Sequence, residues 1–228
     1  MKKILIIGLL ALSACDDGDV MENIKAESSG RTVKIAASIS GIENWPSGYN
    51  VVVAGFGDSK YADISKNIFT ATTADTLVLN GIGNDVKTIE ICAINRLRER
   101  IATFYENDIS NNNESEIILD AGAVQADMFS GIQKTLFNPT CAACHGGGKS
   151  AAAGLYLTEG KSYDALVNVA SSKATDGSVR VVPGDAANSF LYKVVTGTDG
   201  TLSFDHSNMI LDYKNLQLIE DWINKGIE

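Results

Sequence analysis

Seven short stretches in which apolar and polar residues alternate, separated by turn residues, precede a region where apolar residues recur at helical spacing. At 228 residues the chain has room for one large domain or two small ones. These observations predict two domains, an N-terminal all-β immunoglobulin-like sandwich followed by an all-α domain. A composition of 45% hydrophobic and 21% charged residues with 3 Pro is that of a globular chain.

The elements follow in order. Met1, Lys2 and Lys3 make a short positive start, and residues 4–12 form an apolar run broken only by Gly8. The run is too short for a bilayer and has the layout of a secretory signal. Leu12-Ser13-Ala14-Cys15 then resembles the lipobox of bacterial lipoproteins. That resemblance implies removal of residues 1–14, acylation of Cys15 and a chain tethered to a membrane in the bacterial cell envelope, periplasmic or surface-facing. Residues 15–30 are rich in Asp, Glu, Asn and Ser and read as a flexible acidic tether.

The sandwich is expected over residues 31–120. Val33, Ile35, Ala37 and Ile39 alternate with polar neighbours, and further strands are expected at 49–54, 67–70, 76–79, 86–94, 100–105 and 116–119. Turns are expected at Pro46-Ser47-Gly48, at 55–58 and at Asn80-Gly81. Cys92, among Ile89, Ile91 and Ile94, reads as a buried structural thiol. A boundary near residue 120 is expected because Val124, Met128, Ile132 and Leu136 recur at helical spacing.

Charge narrows the partners. The chain carries 19 Lys plus Arg against 28 Asp plus Glu and has no basic cluster. Nucleic acid is therefore excluded as a partner, because phosphate binding needs a cationic footprint, and a charged protein partner would be basic.

The chemistry lies at Cys141-Ala142-Ala143-Cys144-His145. Cys-x-x-Cys-His is the pattern of covalent c-type haem attachment. Helical spacing brings both sulfurs to one porphyrin edge for thioether bonds, and the following His145 can ligate the iron. Gly146, Gly147 and Gly148 let the backbone leave past the macrocycle. A redox dithiol would sit in a βαβ pattern that is missing here, and zinc would need four ligands where few are available. A simple disulfide between the two cysteines is the remaining alternative. One motif implies one covalent haem c.

Beyond the motif, residues 121–228 resemble the planctomycete-type cytochrome c domain, a class I relative. The resemblance rests on Leu136-Phe137-Asn138-Pro139-Thr140, Gly154-Leu155-Tyr156-Leu157, Ser162-Tyr163-Asp164-Ala165-Leu166, Arg180-Val181-Val182-Pro183-Gly184-Asp185, Ser189-Phe190-Leu191-Tyr192 and Trp222-Ile223-Asn224-Lys225-Gly226. It implies an all-α cytochrome c domain whose first and last helices cross beside the haem. Asp185 and Asp212 are expected to cap helices ended by Gly197 and Gly226, and Trp222 to be core. The family usually offers Met followed by Pro as the distal iron ligand, and Met209 stands at that place, followed here by Ile210. His206 and an open site are the alternatives. Arg180 suits a haem propionate, an ordinary surface role being equally consistent.

These readings imply a membrane-anchored monohaem cytochrome that carries single electrons between redox partner proteins and is not itself an enzyme. The alternatives are a haem-based ligand-binding or sensing protein with an open distal site, and an electron-transfer subunit of a larger oxidoreductase.

Overall fold

The computed structural model describes residues 30–147, 150–210 and 212–227. The signal peptide, Cys15 and all but the last residue of the tether lie outside them. Among the described residues no helix is long and apolar enough to cross a membrane.

Two sheets form the larger part of the molecule. β1 (Arg31–Ser40) lies between β4 (Thr72–Ile82) and β7 (Glu116–Gln125), antiparallel to the first and parallel to the second. The other sheet has the order β3 (Ile64–Asn67), β2 (Tyr49–Phe56), β5 (Thr88–Asn95), β6 (Arg100–Asp108), with every pairing antiparallel. Val33, Ile35, Ala37 and Ile39 of β1 are buried, as a period-two strand with one face on a core requires. Asn80-Gly81 lies inside β4 and is no turn. The pairing of Arg31 with Ile82 and Val33 with Leu79 leaves an extra residue there, so Gly81, at φ 77°, forms a bulge. Cys92 is fully buried in a second cluster with Val52, Ala54, Phe56, Ala62 and Ile94, and burial pushes its thiol far up.

The fold expected for the whole chain is corrected in its second part. Residues 121–228 do not form an all-α cytochrome c domain, and helices, most of them short, make up only about a quarter of the described residues. α1 (Met128–Ile132), α2 (Ala142–His145), α3 (Ser162–Leu166) and α4 (Phe190–Val195) have four to six residues, and only α5 (Tyr213–Lys225) is of ordinary length. The apolar spacing that includes Val124 mixes two elements, because Val124 is still in β7, paired with Ile39. Gly, Asn, Asp, Ser and Thr crowd the stretches between the helices and favour turns over helix.

These helices have no separate core. One apolar cluster joins Ile101, Ala102 and Phe104 of β6 to Met128, Ile132, Leu136, Leu218 and Trp222. The approach at Gly131 is close, since a Cβ there would stand 3.0 Å from that of Ala102. α1 and α5 pack together through Phe129 and Trp222, with ring centroids 4.9 Å apart. Trp222 is buried, as a core residue should be. Polar contacts fasten α5 to the sandwich: the Tyr49 hydroxyl donates to Asp221 Oδ2 at 2.9 Å, and Lys214 Nζ lies 3.1 Å from Glu99 Oε1.

Candidate functional site

The segment carrying both cysteines begins as helix. α1 passes into the π-helical stretch Gln133–Cys141 and then into α2. Pro139 lies in the π-helical part, where its missing N–H and its ring disfavour a regular α-helical ladder. Buried Gln133 braces the stretch: its Nε2 donates to Leu157 O at 2.9 Å and to Asn138 Oδ1 at 2.6 Å, and its Oε1 accepts from the Ser162 hydroxyl.

Cys141 stands at the N-cap of α2 with helical dihedrals, φ −73° and ψ −34°. Cys141 and Cys144 are therefore neighbours on one side of a helical turn. Both are free thiols. Cys141 packs half-buried against the core, and desolvation, helped by nearby Cys144, pushes its thiol up to about 11. Cys144 is exposed. A Cβ at Gly146 would come within 2.3 Å of Ala142 O, so glycine is what lets the chain turn out of α2 here.

The chain then folds back in the 3-10 turn Ala152–Gly154. His145 Nδ1 lies 3.1 Å from Ala152 O, and Leu157 N donates to His145 O at 2.7 Å. A carbonyl only accepts, so Nδ1 donates here, and in the neutral ring Nε2 is the nitrogen left to bind a metal. Metal-binding histidines are commonly oriented in this way.

A second loop meets this one. After α4, Gly197 at φ 71° turns the chain, and a 3-10 turn, His206–Met209, precedes α5. The centroid of the His206 ring is 6.2 Å from that of His145, with the planes inclined by 30°. His206 Nδ1 is held by Phe204 O at 3.0 Å. The Phe204 and His206 rings form a T-shaped pair with centroids 4.9 Å apart, and Phe204 is 56% exposed. Met209 is 40% exposed.

The other expected residues are placed as follows. The Arg180 guanidinium donates to Ala165 O at 2.8 Å, and partial burial lowers its pKa. Asp212 caps α5 by accepting from Lys214 N at 3.0 Å. Asp185 caps a different turn, accepting from Asn188 N, while α4 starts after Ser189. Sequence reasoning missed the carbonyls that orient the two imidazoles. It also missed Asp205, which accepts from Ser207 N at 2.9 Å and holds the His206 turn. The Asp-x-Ser spacing was the available signal.

Among the described residues no three His, Cys, Asp or Glu side chains converge as a metal cage. The residues present do fit a covalent haem: two unpaired thiols on one side of a turn, and directly after them an imidazole oriented through Nδ1. Fold and site define a β-sandwich protein with a Cys-x-x-Cys-His segment in a helical extension. Compared with protein-family models, with curated proteins and with solved structures, the chain matches none.

Proposed function

We propose that the protein is a monohaem c-type cytochrome, lipid-anchored in the bacterial cell envelope, that carries single electrons between redox partner proteins. The observation that carries this reading is the orientation of His145. Its Nδ1 is spent on Ala152 O, which leaves Nε2 as the ligating nitrogen, directly after two unpaired cysteines on the same turn. Each thiol can add across one vinyl group, its sulfur joining one carbon and its hydrogen going to the other, so no oxidant is consumed. Bound there, a haem would supply reversible one-electron chemistry. The acidic balance, 28 Asp plus Glu against 19 Lys plus Arg, favours basic partner proteins. The lipobox-like Leu12-Ser13-Ala14-Cys15 supports the anchor.

The test is haem retention. Protein produced with its own leader in a haem-attaching host is expected to keep its haem through denaturation and acid-acetone extraction, and Cys141→Ser with Cys144→Ser to lose it. Extraction of the wild-type haem into the organic phase, or no haem at all, would overturn the reading. Cys15→Ser is expected to free the protein from the membrane fraction.

A further inference from the structure

We propose that His206 provides the second axial ligand at this site, opposite His145, in place of Met209; the inference rests on the cytochrome reading above. Two imidazoles bound through nitrogen on opposite sides of one metal ion, each metal–nitrogen bond being about 2 Å, have ring centres about 6 Å apart. The His145 and His206 centroids are 6.2 Å apart. Both rings use Nδ1 on a backbone carbonyl of their own loop, Ala152 O for one and Phe204 O for the other, so Nε2 is the ligating nitrogen left on each.

The turn that presents His206 is pre-organised. Asp205 accepts from Ser207 N at 2.9 Å, from the Ser207 hydroxyl at 2.6 Å and from Asn208 Nδ2 at 2.9 Å. Ser207 in turn sits against Gly197, where a Cβ would meet its side chain at 3.2 Å. A rigid turn loses little freedom when its side chain binds a metal. Met209 is three residues further along the same turn and remains 40% exposed, while the Phe204 ring packs T-shaped with that of His206. Two neutral nitrogen donors stabilise the oxidised iron more than a thioether does, so the reduction potential would lie below that of a Met-ligated relative.

The experiment uses the full-length haem-loaded protein, examined by absorption, electron paramagnetic resonance and carbon monoxide binding. The wild type is expected to be low-spin with two nitrogen axial ligands and to lack the weak far-red sulfur-to-iron band. Met209→Leu is expected to leave the spectra unchanged. His206→Ala is expected to become high-spin and to gain carbon monoxide binding, with added imidazole restoring the low-spin form. A far-red band in the wild type that Met209→Leu abolishes would overturn the assignment while leaving the cytochrome reading intact. High-spin wild-type iron that binds carbon monoxide would overturn it in favour of an open site. If the His206→Ala chain fails to accumulate, the wild-type and Met209→Leu spectra still decide. A wild-type chain without covalent haem removes the cytochrome reading and this inference with it.

Discussion

Arg31 shows how one side chain can hold a whole end of the sandwich. It is nearly buried at the start of β1, and its guanidinium donates to Ile109 O, Asn112 O, Gly83 O and Val86 O at 3.3, 2.7, 2.9 and 3.0 Å. Those carbonyls belong to turns that face little water, so removing the cation would leave acceptors without donors. Arg31→Ala is expected to cost about 3 kcal/mol of stability, read from the urea midpoint at unchanged slope. A loss below about 1 kcal/mol would mean that water replaces the guanidinium. Nothing in the sequence marked Arg31, because its acceptors are backbone atoms far along the chain. Cys141, Cys144 and His145 were legible for the opposite reason: their relation is set within a single helical turn. Their relation to His206 depends on how two loops meet, and spacing along the chain does not encode that.

At the scale of elements, β1 and α5 were readable because each has a strong local signature. β1 alternates, and α5 has Asp212 at its cap and buried Leu218, Ile219, Trp222 and Ile223. Of the short helices between them, α4 was expected before Gly197, but its start was misplaced at Asp185, because four to six residues hold too few apolar positions to fix where a period begins. The junction of α5 with the β5–β6 hairpin makes a pH-dependent prediction. Hydrogen bonds from Lys60 and Lys214 hold the Glu99 carboxyl down at about 2. A carboxyl whose folded pKa is depressed stabilises the fold above its unfolded value, about 4.3, and that contribution disappears as the pH falls through about 2. Stability should therefore drop on acidification across this window, and Glu99→Gln should flatten the drop in thermal melts taken between pH 5 and 2. An unchanged acid slope in the variant would show that the Glu99 contacts contribute nothing to docking α5.

For the whole molecule, the shared core decides how divisible the chain is. Residue 120, placed as a boundary from sequence, falls within β7, and Ala102 and Phe104 of β6 pack in one cluster with Ile132 and Leu218. A fragment of residues 121–228 would lose the end of its sheet and expose that apolar surface to water. It is expected to be unfolded or aggregated where a chain of residues 30–228 is folded, as judged by circular dichroism and sedimentation. A monomeric fragment with a cooperative melt would establish independence. The parallel pairing of β1 with β7 has a mechanical consequence as well. The chain enters the sheet at the start of β1 and leaves it at the far end of β7, so ten residues of strand, about 33 Å, separate the two points. A pull between the N-terminal segment and the helical extension would load this ladder lengthwise, its hydrogen bonds resisting together in shear instead of peeling one by one.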